Sequence, residues 1–137
     1  TFLGMMIHGF PNLLMPSGPQ SGSASTNYPR GIEIGVNWST DLLQHLWDND
    51  LHYAEATEAA EKRWTDHVVK MYSVMLMRKA QSWFTGYNSN VDGHEAGKIR
   101  YFVYNGGTPK YVATINEVAE KGYEEISFTS EVMPTAV

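Results

Sequence analysis

Apolar residues recur along this chain in three stretches at steps near three and four, the repeat of a helix with one buried side. The first covers residues 29–49 and sets Ile32, Val36, Leu43 and Leu46–Trp47 as the expected inward positions. Pro29 suits a first helical turn, where its missing N–H costs nothing, and Asp48-Asn49-Asp50 supplies a stop. Gly31 and Gly35 lie one turn apart, each lowering helix propensity by about 1 kcal/mol. That spacing predicts that another part of the chain approaches this face closely. The second stretch, residues 53–77, carries Ala56, Ala60, Trp64, Val68, Met71 and Met75 on one stripe. Glu55, Glu58, Glu61, Lys62, Arg63 and Asp66 take the other faces, and Glu58–Lys62 has the spacing of a weak i,i+4 pair. Two helices joined by a short polar turn predict an antiparallel helical hairpin. The third stretch, residues 109–121, turns Tyr111, Val112, Ile115, Val118 and Ala119 inward and stops at Gly122.

The segments between these helices read differently. Residues 13–15 form a short apolar run that reads as a strand, followed at 17–26 by a loop of small and polar residues. Strand, small-residue loop, helix start is an arrangement in which backbone N–H groups can face a ligand. Residues 101–104 read as a strand stopped by Asn105-Gly106-Gly107, and 125–128 as another. Residues 86–97 are Gly- and Asn-rich and predict a mobile loop, and 129–137 predict a loose end. The fold class is therefore α+β, mainly α-helical: a helical hairpin and a third helix with a few short strands.

With 137 residues, 42% of them hydrophobic, the chain has enough material for one domain with a real core. A net charge of -5 and no basic run longer than two residues argue against a nucleic-acid partner. The absence of Cys excludes disulfides and thiolate chemistry and fits a reducing compartment. Apolar runs are too short to span a membrane, so a cytoplasmic location is the expectation. The chain starts without Met inside its first loop unit, as the closing part of something larger would.

No complete catalytic apparatus emerges from the motifs. G-x-G-x-x-G, the P-loop, H-E-x-x-H and G-x-S-x-G are all missing, and Gly18-Pro19-Gln20-Ser21-Gly22 has its serine one place late for a nucleophile elbow. His8, His45, His52, His67 and His94 are scattered and read as surface histidines rather than metal ligands. The expectation is no catalytic residue and no metal site.

Taken in order, TFLGMMIHGFPNLLMPSGPQSGSASTN, IEIGVNW, EATEAAEKRWTDHV, SWFTGYN, YFVYNGG and NEVAEKGYEEISF cover residues 1–128. Together they resemble the C-terminal part of flavin-dependent Baeyer–Villiger monooxygenases. Enzymes of that family carry FAD and use NADPH and O2 to insert one oxygen atom beside a ketone carbonyl. The resemblance divides the chain into a flavin and substrate loop unit (1–28), the helical hairpin (29–77), a control-loop-like segment (78–100), strand–helix–strand (101–128) and a tail (129–137). It implies cofactor contacts for Gly18, Pro19, Gln20 and Ser21, and for Trp83 on the loop that folds over the nicotinamide. It implies substrate contacts for Ser23, Ala24, Ser25 and Tyr28. On the residues alone, an ordinary turn explains the first group, loop packing explains Ser23 to Tyr28, and a core anchor explains Trp83. Met71, Met75 and Met77 read as core.

Gly22 stands where the family usually has Pro, and Ser25 where it has a large aliphatic, so the pocket is expected to differ in shape. The family's dinucleotide-binding motifs are not in this sequence. The resemblance therefore implies an incomplete piece of a larger FAD- and NADPH-binding enzyme, inactive and without tight FAD by itself. Self-association, or association with the FAD/NADPH portion, is expected from its apolar faces. The alternative is a non-enzymatic helical module of the same descent that binds a small apolar ligand or a protein.

Overall fold

Asn27 starts the first helix, α1 (Tyr28–Asp48), by accepting the Arg30 N–H on its side chain, with Pro29 in the first turn. This computed structural model describes residues 1–22, 26–94, 100 and 102–131. The buried side of α1 is Gly31, Gly35, Trp38, Ser39, Leu42 and Leu46. Of the inward positions expected from hydropathy, only Leu46 is buried; Ile32, Val36, Leu43 and Trp47 are exposed. The reason lies in the glycines. A Cβ on Gly35 would come within 1.9 Å of the Pro16 carbonyl oxygen, so the 13–18 segment lies directly against the helix backbone. The expected close approach to that face is therefore real, and it fixes which way the helix faces. Trp38 completes the contact, its indole N–H donating to the Ile115 carbonyl at 2.9 Å.

Ile115 belongs to α3 (Thr108–Glu120), so α1 packs on α3 and not on the helix that follows it. The expected helical hairpin is thus corrected. Residues 53–56, assigned to a helix from the sequence, form strand β1 (Tyr53–Ala56) instead. Helix α2 (Glu58–Ser73) begins only after Thr57, whose hydroxyl accepts the Ala60 N–H, with Glu58 and Glu61 in the first turn. It also ends short of residue 77, and a 3₁₀ turn (Leu76–Lys79) follows. Its buried side, Ala60, Trp64, Val68 and Tyr72, keeps the first part of the predicted stripe, with Met71 half-buried against the core.

β1 pairs antiparallel with β2 (Ile126–Thr129), running from Tyr53 opposite Thr129 to Ala56 opposite Ile126. Thr129, expected in the loose end, is therefore part of the sheet. α3 matches its prediction to within a residue, and Gly122, at φ +70° with its N–H on the Ala119 carbonyl, ends it. The two other expected strands are not strands. At 13–15 two local turn bonds, Leu13 N–H to the Phe10 carbonyl and Gly18 N–H to the Met15 carbonyl, and one longer-range bond, Met15 N–H to the Met5 carbonyl, stand where a ladder was expected. At 102–104 the chain is irregular, joined to the loop by the Gln20 N–H donating to the Phe102 carbonyl; Tyr101 lies outside the described residues.

The core runs from Phe2, Leu3, Met5 and Met6 under the aromatic group of Trp64, Tyr104 and Tyr111 to Tyr123 and Ile126. Trp64 and Tyr104 stack with ring centres 5.2 Å apart. The buried Tyr111 hydroxyl donates to the Leu3 carbonyl at 2.8 Å and accepts the Gly22 N–H. Burial pushes its pKa well above the usual tyrosine range, and Tyr104 and Tyr123 shift the same way for the same reason. No described helix is long and apolar enough to cross a membrane.

Candidate functional site

The small-residue loop is held from behind by the chain's own backbone. A Cβ on Gly18 would meet the Gly4 carbonyl oxygen at 2.6 Å, and one on Gly4 would meet the Ser21 nitrogen at 2.2 Å. A Cβ on Gly22 would meet the Tyr111 ring at 2.4 Å. The glycines are thus required by packing within the fold. The loop's donors face the chain as well. The N–H groups of Gly18, Gln20 and Ser21 go to the carbonyls of Met15, Phe102 and Gly18, and that of Gly22 goes to Tyr111. The expectation of backbone N–H groups turned toward a ligand is corrected at these four positions.

What the loop does present is one wall of a cavity of about 450 Å³. Ser17, Gly18, Pro19 and Ser21 line it together with Tyr28 from the first turn of α1. Trp83, Phe84, Phe102 and Val103 line it too. Trp83 sits in a 3₁₀ turn (Trp83–Thr85) that a set of short-range bonds locks in place. Ser82 accepts the Phe84 N–H on its side chain, and the Thr85 hydroxyl lies 2.7 Å from the Ser82 carbonyl and 3.1 Å from the Ala80 carbonyl. Trp83 stacks on Phe84 with ring centres 4.2 Å apart and remains 67% exposed, so it is not the core anchor its residue type allows. Of the other methionine candidates, Met77 accepts the Tyr72 hydroxyl on its sulfur.

Of the residues singled out in the sequence, Gly18, Pro19, Ser21, Tyr28 and Trp83 are brought together here. Gln20 is adjacent but does not line the cavity: its side chain is buried, accepting from Thr1 at 2.9 Å and lying 3.3 Å from the Thr65 hydroxyl. Ser23, Ala24 and Ser25 lie outside the described residues. Four lining residues, Ser17, Phe84, Phe102 and Val103, escaped the sequence reading, although each neighbours a residue or segment that it did single out.

The described lining carries no charged side chain. Aromatic faces, glycine and proline surfaces and serine hydroxyls suit a flat, largely uncharged ring held by stacking and a few directed hydrogen bonds. They do not suit a pyrophosphate, which needs unspent N–H groups or cations. Elsewhere, no group of three His, Asp or Glu side chains among the described residues is placed to hold a metal. His45 is half-buried against Tyr123 and Phe128, and His94 contacts the Gly86 carbonyl and Arg100, so neither is a free surface histidine.

No protein-family profile matches the chain. It is 34% identical over 130 residues to cyclopentanone 1,2-monooxygenase of Comamonas sp. (strain NCIMB 9872), covering 95% of this chain and 23% of that protein. The cyclohexanone monooxygenase of Rhodococcus sp. Phi1 bound to NADP+ superposes with a TM-score of 0.85 at 28% identity, over 96% of this chain and 23% of that one. The structure of OTEMO in complex with FAD and NADP gives a TM-score of 0.80 at 29% identity, over 94% and 22%. The chain thus spans under a quarter of the length of each. Matched along nearly all of its own length in both sequence and fold, the chain corresponds to a C-terminal segment of the Baeyer–Villiger monooxygenase family.

Proposed function

We propose that this chain forms the lid and one wall of the ring-binding cavity of a Baeyer–Villiger monooxygenase, in which one oxygen atom of O2 is inserted next to a ketone carbonyl with FAD and NADPH. The observation that carries this reading is the convergence of Gly18, Pro19, Ser21, Tyr28 and Trp83 on one apolar cavity from three separate parts of the sequence. FAD would supply the oxygen-activating chemistry there. The residues of this chain fit its ring system and the nicotinamide ring, and they do not fit the phosphates, which belong to a dinucleotide-binding portion outside this sequence.

The roles of the chain's own residues follow from their surroundings. Gly18 and Pro19 offer a flat surface without side-chain bulk. Gln20, pinned between Thr1 and Thr65, is a positioning residue that holds the loop against the core. Tyr28, half exposed at the cavity, adds a hydroxyl for orienting a bound group. Trp83 covers the cavity, its ring excluding water and its indole N–H offering one donor. Ser23, Ala24 and Ser25 follow directly in sequence and are assigned to the substrate side on the family resemblance.

Reconstitution tests the reading. The chain is combined with the flavin- and nicotinamide-binding remainder of the Comamonas cyclopentanone monooxygenase, cut where the aligned segment begins. Cyclopentanone-dependent NADPH oxidation that Trp83→Ala lowers by about tenfold or more is expected. Oxidation no faster than with the remainder alone favours a non-enzymatic binding module.

A further inference from the structure

Met71, Met75 and Met77, expected in the core, are each only half-buried. Met77 makes a directed contact through its sulfur, which lies 2.9 Å from the hydroxyl of the fully buried Tyr72. The same hydroxyl lies 3.4 Å from the Phe84 carbonyl oxygen. A second route leaves Met77 through its backbone. Its carbonyl accepts the Ala80 N–H at 3.0 Å, and the Ala80 carbonyl lies 3.1 Å from the Thr85 hydroxyl. Both routes end in the Trp83–Thr85 turn, which lines the cavity with Trp83 and Phe84. We propose that Met77 is an oxidation site for hydrogen peroxide, and that its conversion to the sulfoxide loosens this turn and opens the wall that Trp83 forms.

The oxidant is peroxide, the two-electron reduction product of O2. A sulfur lone pair attacks one peroxide oxygen, the S–O bond forms as the O–O bond breaks, and the other oxygen leaves with both protons as water. The thioether is oxidised by two electrons and the peroxide is reduced by two. Half-buried Met77 is open to peroxide from solvent, whereas Met5 and Met6 are sealed in the core. The sulfoxide is polar and larger at the sulfur than the thioether. Tyr72 is closed in on all sides and cannot retreat from it. The sulfoxide therefore turns toward water and takes the Leu76–Lys79 turn with it, which breaks the contact with the Tyr72 hydroxyl and pulls on the Ala80–Thr85 contact. The effect on a bound ring rests on the function proposed above; the loosening of the turn does not.

The test treats the whole chain with hydrogen peroxide and locates each sulfoxide by peptide mapping over a time course. Hydrogen exchange follows the amides of Thr85, Gly86 and Tyr87, which donate to the Ser82 and Trp83 carbonyls. Lumiflavin binding is measured alongside by tryptophan fluorescence. In the parent chain, exchange at these amides should rise about five- to tenfold in step with the fraction oxidised at Met77. Lumiflavin binding should weaken by about fivefold, and methionine sulfoxide reductases should reverse both changes. Met77→Leu, close to methionine in volume, should abolish both responses although Met71 and Met75 still oxidise. Met75→Leu should respond as the parent does. Three outcomes overturn the proposal: Met77 staying reduced while Met71 and Met75 oxidise, Met77 sulfoxide with unchanged exchange, or a Met77→Leu chain that still loosens in peroxide. A turn that loosens on Met77 oxidation in a chain that binds no lumiflavin refutes the proposed function alone. Lumiflavin binding by a chain whose turn ignores Met77 oxidation refutes the oxidation site alone.

Discussion

Replacing Gly35 by Ala probes the contact that orients α1 and supports the cavity wall. The new Cβ would sit 1.9 Å from the Pro16 carbonyl oxygen, 2.7 Å from its carbon and 3.0 Å from its Cα. These are backbone atoms and cannot swing aside. Helix and loop must separate by roughly 1.5 Å to reach ordinary contact, at about 3 kcal/mol for overpacking in a close-packed interior. Alanine in a helix returns about 1 kcal/mol relative to glycine. The net expectation is a loss of about 2 kcal/mol, or a Tm lower by roughly 5–10 °C for a chain of this size. Urea unfolding followed by tryptophan fluorescence measures it, with Asn37→Ala, on the exposed side of the same helix, as the control that gains only propensity. Because Pro16 immediately precedes Ser17 and Gly18, any ring binding in the cavity should weaken as well. A Gly35→Ala chain as stable as its parent would refute the close approach, and with it the explanation of why α1 turns its glycines inward.

Three further outcomes follow from the same structure. Tyr111→Phe leaves the Leu3 carbonyl and the Gly22 N–H without their phenol partner inside the core, and chemical denaturation should show a loss of about 1–3 kcal/mol. Burial raises the Tyr111, Tyr104 and Tyr123 pKa values in the folded chain, so stability should hold below about pH 10 and fall as pH rises above it, where only the unfolded chain sheds these protons; denaturation at increasing alkaline pH checks the sign. Trp83→Ala should change stability by less than about 0.5 kcal/mol, because the side chain is largely exposed, while lowering affinity for a flat aromatic ligand by about tenfold in a fluorescence titration.

The elements that were legible in the sequence share a cause: local chemistry agreed with tertiary packing. α3 has an amphipathic stripe, a proline in its first turn and a glycine stop, and all three hold. α2 was legible in its middle, where Ala60, Trp64 and Val68 recur, but not at its start. There Tyr53–Ala56 alternates half-buried and buried, too short a pattern to outweigh the helix-like spacing of Ala56 with Ala60. α1 misled for a different reason. It has two adjacent apolar sides, and the buried one is defined by Gly31 and Gly35, which carry no hydropathy signal at all. The strand expected at 13–15, and that at 101–104 over its described residues 102–104, failed because apolar composition marks burial and says nothing about a pairing partner. In the candidate site, the small-residue loop and Trp83 were legible from family pattern. The N–H groups of Gly18 and Ser21 are consumed by local turns, but those of Gln20 and Gly22 go to Phe102 and Tyr111, remote partners that no local reading supplies.

Titration of the chain with lumiflavin and with FAD, followed by quenching of tryptophan fluorescence, bears most directly on whether these residues furnish a ring wall without a phosphate site. Both share the ring system, and only FAD carries the pyrophosphate and adenosine. The account predicts equal, weak binding within a factor of about three, lost in Trp83→Ala. FAD binding a hundredfold or so tighter than lumiflavin would place a phosphate site within this chain and contradict it.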